Sequence, residues 1–282
     1  MNVFGGIEGG GTTWKCAVGT GPDDLRATAA IPTTTPAETI GEAVAFFERE
    51  GPVEAIGIGS FGPVDLARGV ITSTPKPGWA HTEVAGEIGG RLGAPVAFDT
   101  DVNAAALGEY RWGAAQGLDV CCYVTVGTGI GGGVLVGGSP VHGLQHPEVG
   151  HARIPHDRDA DPFPGSCPFH GDCWEGLACG PALEARWGRP PDELEDEAPW
   201  ALEARYLALG LMALTAVVSP QRIVLGGGVM NRAGLLELVQ RQLDQLVNGY
   251  VAVPELVPPA LGARAGVLGA LALALLHVEA GG

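Results

Sequence analysis

Short apolar runs broken by glycine turns recur along this chain and alternate with stretches of helical period. Val3–Glu8 and Trp14–Gly19 read as strands joined by Gly9-Gly10-Gly11-Thr12-Thr13. Such a loop permits positive φ and close approach of another group, so it suits a plain hairpin as well as a ligand loop. Pro36–Glu50 places Ile40, Val44 and Phe47 at helical spacing, and Ala55–Gly59 is a glycine-bearing strand. Pro95–Phe98 reads as a buried strand, followed by Asp99-Thr100-Asp101-Val102-Asn103 and the helical AAALGEYRWG. Val120–Val126 and Val134–Val136 flank a second glycine-rich loop over 127–133. Beyond it come a long apolar helix from about Ala201 to Val218, a strand at Arg222–Leu225 and a helix from about Ala265 that is apolar on most faces.

Strand, glycine–threonine loop, strand thus occurs twice, once in each half, which reads as an internal duplication. Two facing loops of N–H donors would form a phosphate clamp. A third cluster, Gly226-Gly227-Gly228, follows a strand and opens toward a helix, so a base or ribose could lie close to its backbone. No Walker A pattern and no dinucleotide fingerprint is present.

Composition narrows the classes. With 282 residues and 46% apolar content the chain can bury two moderate cores. A formal net charge of −16 argues against nucleic acid, whose binding needs Lys and Arg on phosphates. A nucleotide ligand stays open, because backbone N–H groups and a divalent metal bind phosphate within acidic proteins. Cys16, Cys121 and Cys122 lie in apolar runs, as reduced thiols of a cytoplasmic protein would. The start shows no basic leader, and the apolar runs near Leu207–Val218 and Ala265–Val278 read as buried helices and not as membrane spans.

The densest candidate chemistry lies between Pro147 and Glu175. Cys167, His170 and Cys173 form Cys-x2-His-x2-Cys just after a Pro164-Gly165 turn. Thiolate and imidazole are zinc ligands in tetrahedral sets, and a set of four protein ligands makes a structural site. The fourth is His151 or His156; His151 is preferred, since Glu148 precedes it by three residues on one face of a helical turn. The site would pin the segment carrying Glu148 and Glu175. Unpaired core cysteines beside surface histidines are the alternative. Asp101, where a strand gives way to a helix, is either a cap or a functional carboxylate at a sheet edge. The loop Thr72–Trp79 is either a connector or, through Trp79 and its hydroxyls, a sugar platform.

These residues resemble the ROK family of sugar kinases, within the actin-like ATPase superfamily, over nearly the whole chain. The likeness is greatest to its bacterial fructokinase branch, through TPKPGW at 74–79, FDTDVNAAALGEYRWGAA at 98–115, TVGTGIGGG at 125–133, HPEVGH at 146–151 and CPFHGDCWEGLACGPAL at 167–183. The resemblance implies two actin-like (ribonuclease H-like) α/β domains flanking a central cleft. Their spans would be residues 1–115 and 116–264, with the helix over about 265–282 packing back on the first. It also implies a homodimer, ATP with Mg²⁺, a structural Zn²⁺ and phosphorylation of fructose at its 6-hydroxyl.

By the same resemblance Asp101 is the catalytic base, and Thr100, Glu148, His151, Glu175 and Trp79 surround the sugar. Gly9, Gly10, Gly11 and Thr12 form one phosphate loop and Gly127, Thr128 and Gly129 the other. Gly226, Gly227 and Gly228 form the adenosine turn, and His151, Cys167, His170 and Cys173 the zinc set. Thr13 stands where relatives often have Lys, with Lys15 turned elsewhere. Thr100 replaces the Asn of glucokinase-type members, which points away from glucose, and His170 replaces a cysteine found in other branches. A kinase for glucose, mannose or an N-acetylhexosamine and a non-catalytic sugar sensor are the rival readings. A repressor of the same family would need a DNA-reading helix-turn-helix ahead of the first strand, and none is seen.

Overall fold

The computed structural model describes residues 3–281. Its contacts divide the chain into two compact units, Met1–Gly117 with Gly138–His146 and Ala260–Gly282, and Leu118–Gly137 with Pro147–Pro259.

The first unit opens with an antiparallel meander of β1 (Phe4–Gly9), β2 (Thr13–Gly21) and β3 (Asp24–Pro32). Alternation in β2 sends Trp14, Cys16 and Val18 into the core. Helix α1 (Pro36–Glu50) starts where Thr35 caps it, its hydroxyl accepting from Glu38 N, with a proline at the first position. Ile40, Val44 and Phe47 line its buried face. Then follow β4 (Ile56–Ser60), a small sheet of β5 (Val64–Asp65), β6 (Val70–Ile71) and β7 (Thr82–Glu83), then α2 (Val84–Leu92), β8 (Val96–Thr100) and α3 (Asp101–Trp112). The main sheet has the order β3-β2-β1-β4-β8, with β1–β4 and β4–β8 parallel.

In the second unit β9 (Val120–Val126) and β10 (Ile130–Val136) form an antiparallel hairpin. The short β11 (Ser139–Pro140) lies in the segment that returns to the first unit. Helices α4 (Trp174–Ala178), α5 (Gly180–Trp187) and α6 (Glu197–Val218) precede β12 (Arg222–Gly226), α7 (Leu235–Val247) and β13 (Glu255–Val257). Within this unit the strands run β10-β9-β12-β13, with β9–β12 and β12–β13 parallel. The order and directions repeat those of β2-β1-β4-β8, so the duplication lies in topology as well as in the glycine loops.

Some boundaries differ from the sequence pattern. The second loop spans only Gly127–Gly129, because Gly131, Gly132 and Gly133 pair with Thr125, Val124 and Tyr123 inside β10. Helix α6 begins at Glu197, ahead of the apolar run expected to start at about Ala201; Leu194 and Trp200 are buried, and Trp200 Nε1 donates to Leu194 O at 2.8 Å.

The last helix, α8 (Ala265–Gly281), belongs to the first unit and packs on β1, β4 and α3. It lies so close to the sheet that a Cβ on Gly57 would stand 1.8 Å from Ala270 O. One on Gly269 would stand 1.7 Å from Ala104 O of α3. Glycine is what allows these backbones to meet. Helix α6 and the segment Gly262–Ala280 are each long and apolar enough to cross a membrane. About half of each apolar window is buried inside the protein, at 50% and 56%. All six cysteines are free and buried, and burial pushes the Cys16 and Cys122 thiols up to about 12 and Cys121 to about 11.

Gly57→Ala is expected to cost roughly 3 kcal/mol, since the methyl group must displace helix backbone and not a flexible side chain. Urea unfolding should show a lower midpoint at unchanged slope. A wild-type midpoint would contradict so tight a contact.

Candidate active site and metal centre

In an open α/β sheet, ligands gather at the carboxyl ends of the parallel strands. In the first unit those ends are Gly9 of β1, Ser60 of β4 and Thr100 of β8, paired Gly9 with Ser60 and Ser60 with Thr100. The loop after Gly9 is closed by Gly10 N donating to Thr13 O at 3.1 Å, and Thr33 Oγ1 donates to Gly10 O at 2.7 Å. These bonds leave Gly11 and Thr12 exposed at the tip. Lys15 is spoken for elsewhere: its Nζ lies 3.1 Å from both Glu8 carboxylate oxygens and donates to Ala263 O at 3.0 Å.

At the end of β8, Thr100 caps α3, its hydroxyl accepting from Asn103 N at 3.1 Å. Thr100 itself is buried, so its side chain serves the helix start. Asp101 is the first residue of α3, half-buried, with Oδ1 accepting from Val102 N at 2.9 Å. The hydrogen bond to Asn103 N belongs to Thr100. Trp79 does not take the sugar-side place expected from the sequence. It is fully buried against Trp14 and Phe61, at 5.4 Å between centroids in each case, and its Nε1 donates to Thr34 O at 2.9 Å. With the ring fully buried in the core, Trp79 offers no exposed face to a sugar.

In the second unit the loop at Gly127–Gly129 follows the carboxyl end of β9 and the turn at Gly226–Gly228 that of β12. Gly127 N donates to Gly129 O at 2.9 Å, and Gly180 N donates to Gly127 O at 2.8 Å. Gly227 has φ +97°, and a Cβ there would lie 2.3 Å from Val126 O, so turn and loop abut. Thr128 and Gly228 are exposed. Glu175, at the start of α4, accepts from Ile130 N at 3.0 Å and so braces the base of the loop.

The other end of this brace is the His/Cys cluster. The ligand atoms of His151, Cys167, His170 and Cys173 all lie within 4.8 Å of one another. His151 Nδ1 is 3.7 Å from Cys167 Sγ and 3.6 Å from Cys173 Sγ, and His170 Nδ1 is 3.7 Å from Cys167 Sγ. A tetrahedral ion with sulfur at ~2.3 Å and nitrogen at ~2.0 Å has such edges, about 3.5 Å long. The donor set and its spacing therefore fit a four-coordinate soft cation.

His156 is not part of the cluster. Its ring is buried between Asp172, whose Oδ2 lies 3.2 Å from Nδ1, and Asp161 O, 3.0 Å from Nε2. His156, and then Arg158, hold the Asp172 carboxyl down to about 2. Glu148 is exposed just ahead of the 3₁₀ turn Val149–His151, whose His151 N donates to Glu148 O at 3.1 Å.

Residues 4–276 match the sequence profile of the ROK family. The chain belongs to the ROK family. It is 47% identical to a fructokinase of Zymomonas mobilis over 97% of this chain and 96% of that protein. To a fructokinase of Streptococcus mutans it is 41% identical, over 96% and 97%. Among solved structures it is similar to a ROK hexokinase from Thermus thermophilus, with TM-score 0.84 and 34% identity over 99% of both chains. A ROK family glucokinase from Streptomyces griseus, in complex with glucose and AMPPNP, gives 0.80 and 28% over 98% and 100%. The two-unit α/β architecture is thus that of ROK sugar kinases.

Sequence spacing missed one group in this ROK chain. Asp99 is buried, accepts from Thr100 N and Asn103 Nδ2 at 2.7 Å each, and lies 2.9 Å from His142 Nε2. Aspartate and histidine stand 43 residues apart in the chain, beyond the reach of any local motif.

Without a cation, burial pushes the Cys173 thiol up to about 11, so metal uptake must displace its proton. Cys173→Ser is expected to abolish stoichiometric metal and lower the melting temperature by about 5 °C or more. Because protons compete with the metal for the ligands, wild-type protein should lose its ion as pH is lowered from about 8 to 5. Elemental analysis across that titration checks both, and full retention by Cys173→Ser would rule the cluster out.

Proposed function

We propose that this chain is an ATP-dependent fructokinase, transferring the γ-phosphoryl group of ATP to the 6-hydroxyl of D-fructose. The observation that carries the reading is half-buried Asp101, directly after the carboxyl end of β8, on the same sheet edge as an exposed glycine–threonine loop. The names borne by relatives 39–47% identical over most of this chain support the substrate.

Phosphoryl transfer asks the protein mainly for positioning and for stabilising charge. Asp101 orients the acceptor hydroxyl and takes its proton, an effect worth about 10²–10⁴ in rate. N–H groups and hydroxyls of Gly9, Gly10, Gly11 and Thr12 and of Gly127, Thr128 and Gly129 hold phosphate oxygens, while Gly226, Gly227 and Gly228 admit the adenosine. Mg²⁺ carried by ATP supplies charge neutralisation at the phosphates. Glu148, His151 and Glu175 contact the sugar. His151, Cys167, His170 and Cys173 would hold Zn²⁺ as a structural ion, fixing the segment that bears Glu148 and Glu175. We extend the reading to a homodimer working in the cytoplasm, a compartment that suits six free, buried cysteines.

Asp101→Asn is expected to keep fold and sugar affinity while lowering kcat about 10²-fold or more, since an amide cannot take the proton. Near-wild-type kcat would place the base elsewhere. Substrate choice is checked by kcat/KM for fructose, glucose, mannose and N-acetylmannosamine with ATP and Mg²⁺, fructose being expected highest. A higher value for another hexose would replace the substrate and leave the kinase chemistry standing.

A further inference from the structure

Resting on the kinase reading above, we propose that His142 is a specificity-determining residue for the acceptor sugar, its Nδ1 accepting a hydrogen bond from a hexose hydroxyl. Asp99, only 3% exposed, fixes the ring. Its Oδ1 receives Thr100 N and Asn103 Nδ2, each at 2.7 Å, so the carboxylate cannot rotate. Its Oδ2 faces His142 Nε2 at 2.9 Å, which requires a proton on that nitrogen. With the proton there, the 3.3 Å approach of Asn103 Nδ2 to the same nitrogen is a packing contact between two donors, and the amide hydrogen bond goes to Asp99 Oδ1. Neutral imidazole then presents a lone pair at Nδ1, and Nδ1 has no partner among the described residues. The side chain is 39% exposed, while its carboxylate is buried.

Anchoring the loop does not account for this arrangement. The segment after β11 already has an anchor in buried His146, whose Nε2 accepts from Val64 N at 3.1 Å. A second, half-exposed imidazole on a saturated buried carboxylate adds an oriented acceptor at the surface. That carboxylate sits two residues before Asp101, at the end of β8 where it runs into α3, so the ring and the proposed base are positioned by one strand–helix junction. A site that hydrogen-bonds a particular hydroxyl discriminates far more strongly than shape alone.

The test is steady-state kinetics of purified protein with ATP and Mg²⁺ on fructose and mannose. His142→Ala should lower kcat/KM for fructose about 10²-fold, mostly through KM, and shrink the fructose-to-mannose ratio about tenfold. His142→Gln, which keeps an acceptor, should recover about tenfold of the loss, and Asp99→Asn should resemble His142→Ala. Leu144→Ala, fully exposed on the same loop, should match wild type and excludes a general effect of loop mutation. A melting temperature of His142→Ala within about 3 °C of wild type would separate the effect from unfolding. If wild type phosphorylates fructose and His142→Ala keeps its ratio within about twofold, the inference fails alone. If wild type phosphorylates no hexose, the kinase reading fails and takes this one with it.

Discussion

The first unit is held together at one buried carboxylate. Glu109, in α3, is fully buried, and its oxygens accept from Ala114 N at 2.7 Å, Ala260 N at 3.1 Å and Leu261 N at 2.9 Å. Those donors are orphan backbone groups: one just past the end of α3, two in the segment where the chain re-enters this unit ahead of α8. An apolar residue here would strand three N–H groups away from water, each at a cost of about 1–3 kcal/mol. With them satisfied, α8 can be seated along α3 and under β1 and β4. The glycine contacts that let it approach so closely take effect only once it is placed.

A comparable economy governs the second unit. The segment between His151 and α4 has little regular structure of its own, yet Cys173 at its end and Trp174 at the start of α4 are buried. Two kinds of polar restraint organise it, the His/Cys cluster on one side and the Asp172, His156 and Asp161 contacts on the other. Tyr206 of α6 adds a 2.6 Å bond to Asp161, so the loop is tied to the longest helix of the unit. Glu175 follows directly on Cys173 and Trp174, and its bond to Ile130 N carries that rigidity to the glycine loop.

Legibility in the sequence followed the range of each interaction. Helix α1 could be read to its ends because its cap, its proline and its apolar spacing all lie within the helix or one residue away. The His/Cys set could be read because three members fall within seven residues; the spacing of His151 to Glu148 favours it over His156, and the fold places His151 in the cluster. Trp79 was misread for the opposite reason: its neighbours Lys76, Pro77 and Gly78 look like surface, but Trp14 and Phe61 close over its ring from distant positions. The glycines 131–133 look like loop and lie in a strand, where a Cβ on Gly132 would meet Val149 at 2.5 Å. Sequence cannot tell a glycine that bends the chain from one that makes room. The pairing of Asp99 with His142 spans too many residues for any motif to show.

The discontinuous layout of the first unit also bears on the order in which the protein can be made. Every residue of the second unit precedes Ala260 in the chain, whereas the first unit needs α8, which comes after it. A ribosome therefore finishes the second unit while β1, β4 and α3 still lack the helix that covers them. Until α8 emerges, an apolar sheet face is uncovered and the carboxylate of Glu109 lacks its donors from Ala260 and Leu261, and nascent chains are open to chaperones and to aggregation at that stage. The half of the molecule synthesised first is thus the half completed last.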